Sequence, residues 1–253
     1  MTERGALAGG AWQDASIERI ETATPTVKTL LLRPTHTVEF IPGQHVDIRL
    51  TAPDGYTAVR SYSVTSAPGE RTIELAVERL REGEVSPYFH DIAVPGDVIE
   101  IRGPFTQHFV WRPEHDGAVL LVGGGSGIAP FLSMLRHRAS VAHAPPTMLL
   151  YSARTWNDVI LRDELLRHEA VQAGLQLRFT ITQGSLSDGV SARGADYTRR
   201  IDETMLRECL GSMPVAPARC YVCGNNGFVG TVADALVAIG VDPATVRTER
   251  YGE

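Results

Sequence analysis

Lysine is almost missing from this chain. Lys28 is the only one in 253 residues, and arginine carries the rest of the positive charge. That rules out lysine chemistry at every other position, including a phosphate loop ending in lysine. Positive charge is in deficit as well. A net charge of −6 argues against nucleic acid as a principal partner, which usually demands a basic face. Cysteine is scarce: Cys209, Cys220 and Cys223 are too few for a disulfide framework. Cys220 and Cys223 form a lone CxxC, and a zinc or iron–sulfur site needs two further ligands, so no metal is expected there. No apolar run reaches membrane-spanning length, and residues 1–10 lack a signal-peptide core. The expectation is a soluble cytoplasmic protein without membrane insertion.

What is present is enough apolar residue, 43%, to build a packed core, in a length that suits one large or two medium domains. Residues 12–102 carry strand signals: 15–22, 26–33, 45–50, 72–78 and 97–101, with turn residues between them. Short strands punctuated in this way suggest a closed antiparallel barrel or sandwich. One short helix is expected at 86–92, with Ser86 as N-cap and Pro87 at its first position. The texture changes at 112–117, which reads as a linker. Beyond it, strands at 118–122, 147–151, 175–182, 219–223 and 245–249 alternate with helices at 128–138, 158–172, 202–210 and 228–239. Such alternation implies a parallel sheet with helices on both faces. The stretch 184–197 has weak periodicity and is expected to be the mobile loop. The domains are expected at 1–113, an antiparallel β-barrel, and 114–253, an α/β parallel-sheet domain.

Two stretches carry chemistry. In Arg60-Ser61-Tyr62-Ser63, an arginine fork can clamp a pyrophosphate. A tyrosine two residues on, pointing the same way in an extended chain, can lie against a ring system. The adjacent Ser63 can hydrogen-bond a ring nitrogen. Taken alone, the stretch also reads as an ordinary edge strand. The second stretch is Gly123-Gly124-Gly125-Ser126-Gly127-Ile128-Ala129-Pro130, directly after an apolar strand and before a helix. Glycines let the backbone approach an anion, and free N–H groups at a helix start face it. The loop has neither the lysine of a Walker loop nor GxGxxG spacing followed by an acid about 20 residues on.

Together these stretches make the chain resemble the ferredoxin–NADP reductase superfamily over nearly its whole length, closest to reductase modules of bacterial oxygenase systems. The resemblance implies a six-stranded flavin-binding barrel and a five-stranded parallel sheet binding a nicotinamide cofactor. Arg60, Ser61, Tyr62 and Ser63 match the flavin motif. Gly83, Val85 and Ser86 lie in the second phosphate segment, and Gly103-Pro104-Phe105 in the turn closing the barrel. Gly123, Gly124, Gly125, Ser126 and Gly127 match the nicotinamide pyrophosphate loop. Ser152 and Arg154 fall where adenosine ribose contacts lie, and Cys223 and Gly224 beside the nicotinamide ring. Glu249 and Tyr251 match the C-terminal strand that sets an aromatic against the flavin, although Tyr251 is followed by Gly252 and Glu253. Cys223 taken alone also reads as a small buried residue at a strand end.

The implied reaction is hydride transfer from NADPH or NADH to FAD, with FMN as the alternative flavin, and then release of single electrons. Ser63, Cys223 and Glu249 are the implied catalytic residues. The implied partner is a small redox protein such as a ferredoxin, or an oxygenase or other oxidoreductase subunit. The cysteine spacing of the family's iron–sulfur domains does not occur, so flavin is the expected sole redox centre. A free-flavin reductase and a non-catalytic binding module of the same fold are the rival readings. Arg154 follows the second sheet strand, and the nearest acid, Asp158, lies four residues beyond it in the expected helix, which leans the cofactor choice toward NADPH.

Overall fold

The computed structural model describes residues 10–106, 108–115, 117–183 and 196–251. Alternating apolar side chains build the first layer. Strands β1 (Gln13–Thr24), β2 (Val27–Pro34), β3 (His45–Thr51), β4 (Thr57–Ser63), β5 (Ile73–Glu78) and β6 (Val98–Phe105) form one antiparallel sheet, in the order β4-β3-β6-β1-β2-β5. Its edge strands are β4 and β5. An isolated antiparallel bridge, Val64 to Leu75, joins their ends and closes the sheet as a barrel. Leu30, Leu32, Val46, Ile48 and Leu75 fill its interior. β6 runs further than expected and includes the Gly103-Pro104-Phe105 turn, whose Gly103–Pro104 peptide is cis.

Helix α1 (Ser86–Asp91) follows β5. Ser86 is not its cap. Val85 holds the cap position, and the Ser86 hydroxyl turns back to accept from the Leu80 N–H at 3.0 Å.

The second sheet is parallel throughout: β7 (Ala118–Gly124), β8 (Thr147–Ala153), β9 (Leu175–Ile181), β10 (Pro217–Gly224) and β11 (Val246–Arg250), ordered β11-β10-β7-β8-β9. β7 shows why a buried parallel strand reads as a continuous apolar run. Val119 and Leu121 face one core, with α2 (Ala129–Arg138) and α3 (Arg162–Val171). Ala118, Leu120 and Val122 face the other, with α4 (Glu203–Ser212) and α5 (Asn226–Ala238). The same alternation splits the CxxC: Cys220 lies in one core and Cys223 in the other.

α3 starts four residues later than the expected 158. The intervening Trp156–Asp158 is a tight turn closed by a capping box between Thr155 and Asp158. Leu161 then takes a left-handed conformation, φ 49°, which breaks the helical path. The stretch expected as a mobile loop lies outside the described residues up to 195; Tyr197 pairs with Thr180 beside β9. The core does not stop between the sheets. Val27 and Ala76 of the barrel pack in the same cluster as Phe109, Trp111, Leu121 and Leu132.

Candidate functional site

The site begins at the open edge of the barrel. In β4, Arg60 and Tyr62 stand opposite Ile48 and Val46 of β3, so both point to the inner face, where β4 lacks a neighbour beyond the Val64–Leu75 bridge. Tyr62 packs edge-on against Phe89 of α1, and burial pushes its phenol well above the usual range. Arg60 stays exposed. Its guanidinium donates to Glu84 Oε2 at 2.9 Å and to the Val59 carbonyl at 2.7 Å. Glu84 also accepts from the Tyr56 hydroxyl. This carboxylate brings the β5–α1 turn up to the arginine. In that turn, Gly83 N–H donates to the Leu80 carbonyl at 3.1 Å, and Val85 and Ser86 are buried.

Ser61 and Ser63 face the other way. The Ser61 hydroxyl donates to Asp47 Oδ1 at 2.6 Å, and Arg102 holds the second oxygen of that carboxylate at 3.0 Å. Ser61 is thus turned away from Arg60 and Tyr62. Ser63 ends the strand, paired with His45 of β3.

The glycine stretch is the turn between β7 and α2, as its position in the chain requires. Gly125 has φ +57°, and a side chain there would meet open space. Gly127 is the tight position: an added Cβ would lie 2.2 Å from the Cys223 carbonyl oxygen. Only glycine lets the loop press on the Cys223-Gly224 end of β10. Loop carbonyls are held by two phenols, Tyr151 on Gly125 at 3.0 Å and Tyr251 on Gly124 at 2.6 Å. The Ser126 hydroxyl donates across the domain gap to Glu78 Oε2 at 2.6 Å. Ser152 pairs beside Gly124 and is half-buried; Arg154 lies exposed just past the end of β8.

The two sheets meet at their functional ends. Cys223 pairs with Glu249 across β10 and β11, and the Tyr251 N–H donates to the Gly224 carbonyl at 3.2 Å. Glu249 Oε1 lies 3.7 Å from His45 Nδ1, which belongs to the barrel and pairs with Ser63. That separation is too long for a hydrogen bond. Both His45 Nδ1 and Glu249 Oε2 are buried without a hydrogen-bond partner. Burial pushes the Glu249 carboxyl up to about 7 and the His45 imidazole down. Burial, with Glu249 alongside, pushes the Cys223 thiol well up.

Most of the expected residues fall into three groups, with Ser61 turned to Asp47 and Gly123, Gly125 and Ser126 on the glycine loop itself. Arg60, Tyr62, Gly83, Val85 and Ser86 gather at the barrel edge. Ser63, Cys223, Gly224, Glu249, Tyr251, Gly124 and Gly127 gather where the sheets meet. Ser152 and Arg154 lie on the β8 side of the glycine loop. Sequence reading missed His45, Glu78 and Glu84. His45 sat inside an alternating strand and the acids among ordinary surface charge; only cross-strand and cross-domain contacts distinguish them.

This donor set fits a flavin dinucleotide and a nicotinamide dinucleotide. A guanidinium whose only carboxylate partner among the described residues is an exposed one can exchange that partner for a pyrophosphate. The glycine loop opens a helix with space beside Gly125. The buried, unpartnered atoms of His45 and Glu249 mark a polar site between the domains.

Comparison with known proteins agrees. Residues 15–110 match the oxidoreductase FAD-binding domain, and residues 121–234 the oxidoreductase NAD-binding domain. Ferredoxin–NADP reductase B of Sorangium cellulosum is 33% identical over 215 residues, 84% of this chain and 85% of that protein. The naphthalene 1,2-dioxygenase system ferredoxin–NAD(P)(+), reductase component of Pseudomonas putida is 24% identical, over 93% of this chain and 68% of its own length. The flavohemoprotein of Bacillus subtilis is 26% identical over all of this chain, which spans only 63% of that relative. Among solved structures, the flavohem-like FAD/NAD binding domain of nitric oxide dioxygenase from Vibrio cholerae superposes with a TM-score of 0.80. It shares 22% identity, over 95% of this chain and 99% of that one. The chain belongs to the ferredoxin–NADP reductase superfamily, with an FAD-binding domain followed by an NAD-binding oxidoreductase domain.

Proposed function

We propose that this chain takes electrons from NADPH, or less readily NADH, and delivers them singly to a redox protein partner of the ferredoxin or oxygenase-component kind. The observation that carries this reading is the junction of His45, Ser63, Cys223 and Glu249, where the flavin motif and the nicotinamide-side strand ends come together. Bound FAD would supply the two-electron acceptor for nicotinamide hydride and the single-electron donor for the partner.

The protein's share is positioning. Arg60 would exchange Glu84 for the flavin pyrophosphate, with Gly83, Val85 and Ser86 supplying the neighbouring turn. Tyr62 would flank the ring system and Ser63 hydrogen-bond its edge. Ser61, turned to Asp47, contributes backbone only. Gly123, Gly124, Gly125, Ser126 and Gly127 would receive the nicotinamide pyrophosphate. Cys223 and Gly224 would pack beside the nicotinamide, and Tyr251 would shield the same cleft from water. Glu249 and His45 would hold or pass a proton at Oε2 and Nδ1, buried atoms without a hydrogen-bond partner. Ser152 and Arg154 would hold the adenosine ribose. Asp158, the nearest acid in sequence, is occupied by Thr155 at 2.7 Å, so Arg154 is the charged group available to a 2′-phosphate.

The test is anaerobic titration of the purified yellow protein with NADPH and NADH, followed by reduction of a ferredoxin. Bleaching by nicotinamide with flavin retained through dialysis supports the reading. Flavin lost on dialysis, together with fast reduction of added free flavin, supports a free-flavin reductase instead. Arg154→Ala is expected to move the kcat/KM ratio toward NADH; an unmoved ratio removes Arg154 from cofactor choice.

A further inference from the structure

The helix that begins at the glycine loop also reaches back into the barrel. Arg136 of α2 is largely buried, its side chain 19% exposed, and all three guanidinium nitrogens make hydrogen bonds. It donates to Glu74 Oε1 at 2.7 Å and to the Thr65 carbonyl at 3.0 Å, both in the barrel. It also grips Glu164 of α3 through two parallel bonds of 2.6 and 2.8 Å. One helical turn earlier, the buried Ser133 hydroxyl donates to the Ser66 carbonyl at 2.7 Å. The barrel side is tied together in turn. Thr65 Oγ1 donates to Glu74 at 2.8 Å, and the Glu74 N–H donates to Ser66 Oγ at 3.0 Å. Glu164 is backed by His168 at 3.3 Å, and His168 by Gln172 at 2.6 Å. Burial pushes the Glu164 carboxyl up, but its bonds to Arg136 and His168 hold it down to about 2.

The positions matter more than the count. Thr65 and Ser66 follow the Arg60–Ser63 motif without a break, separated from it only by the closing bridge residue Val64. Ser133 and Arg136 stand on α2, the helix that directly follows the glycine loop. One rigid helix thus joins the exit of the flavin strand to the nicotinamide phosphate loop. A guanidinium bonded to two carboxylates and a carbonyl in fixed directions sets an orientation that a purely apolar contact would leave free to slide.

We propose that Arg136 and Ser133 are positioning residues that set the spacing between the flavin and nicotinamide sites. This rests on the functional reading above. Neither residue is among those assigned above to holding the cofactors. Their loss lets the α/β domain shift on the barrel and lengthens the hydride path while each site by itself stays intact.

Four forms decide it: wild type, Ser133→Ala, Arg136→Lys and Arg136→Met. Each is measured for flavin content, calorimetric NADP+ affinity, and the stopped-flow rate of flavin reduction at saturating nicotinamide. Arg136→Met is expected to slow reduction by about 10- to 100-fold, the cost of misplacing reacting groups by about an ångström. Flavin content and NADP+ affinity stay at wild-type values. Arg136→Lys and Ser133→Ala fall between. Unchanged reduction in Arg136→Met, or affinity falling in step with rate, overturns the proposal. A second arm uses amide hydrogen exchange. Residues 64–74 and 129–136 are expected to exchange about tenfold faster or more in Arg136→Met, while β1 is unaffected. Unchanged exchange overturns the clamp even if wild-type flavin resists both nicotinamides, an outcome that would instead sink the functional reading.

Discussion

Glu249 sits in the wrong place for an ordinary carboxylate. Its side chain is 18% exposed, one oxygen has no partner, and its neighbours are a buried thiol and an imidazole whose pKa burial lowers. The folded state holds its proton up to about pH 7, against 4.5 for a free side chain. The folded form therefore binds more protons than the unfolded form between those values, and stability falls as pH rises through that window. The cost is absent below about pH 4.5 and complete above about pH 7, where it reaches about 3 kcal/mol. Glu249→Gln is expected to raise the urea midpoint at pH 8 and leave it nearly unchanged at pH 5. An equal gain at both values would mean that packing, not charge, is responsible. Arg60 gives a second test at this scale. Losing a charge-assisted bond costs about 1.5–3 kcal/mol, so Arg60→Ala is expected to weaken flavin binding about tenfold or more. Glu84 competes for the same guanidinium, and an exposed ion pair is worth about 0.2–1 kcal/mol. Glu84→Gln is therefore expected to tighten flavin binding, by about fivefold at most. Equilibrium dialysis of apoprotein with FAD reads both; unchanged affinity in Arg60→Ala would show that Arg60 holds nothing.

At the scale of the elements, the turn between β7 and α2 has two glycines with different physical roles. Gly125 is needed for its backbone angle alone, with open space around it; Gly127 is needed for room against β10. A left-handed non-glycine residue costs about 1 kcal/mol, so Gly125→Ala is expected to lower Tm by about 2–4 °C. Gly127→Ala must move a backbone carbonyl, and overpacking costs about 3 kcal/mol. Its Tm is expected to fall roughly three times as far. Equal shifts in a thermal melt would contradict this division of roles. Element positions were largely legible beforehand, because the alternation of apolar and polar residues along β3 and the continuous apolar character of β7 are written into the residues. The start of α3 was not. Residues 158–161 have helical composition, but the Thr155–Asp158 capping box closes a separate turn and Leu161 takes a left-handed conformation. The cap of α1 was misread for a related reason: Ser86 found a better acceptor role toward Leu80 than at its own helix end.

For the whole molecule, Cys220 and Cys223 make a test of redox content. β10 sends them to opposite cores, and Cys209 lies with Cys220. Purified protein is expected to show a flavin spectrum with neither iron nor labile sulfide; stoichiometric iron by colorimetric assay would contradict it. The two sheets, their order along the chain, the glycine turn and the extended Arg60–Ser63 strand all follow from local rules. Periodicity, turn residues and helix caps act over a few residues, and so the amino-acid order alone determines them. The site between the domains does not follow from such rules. His45 and Glu249 are 3.7 Å apart in space and lie in different sheets; Ser126 meets Glu78, and Arg136 meets Glu74, in the same way. The burial that holds the Glu249 proton and orphans its Oε2 exists only once the barrel packs on the parallel sheet. Solvent exclusion and charge pairing depend on what surrounds a residue, and only the tertiary structure decides that.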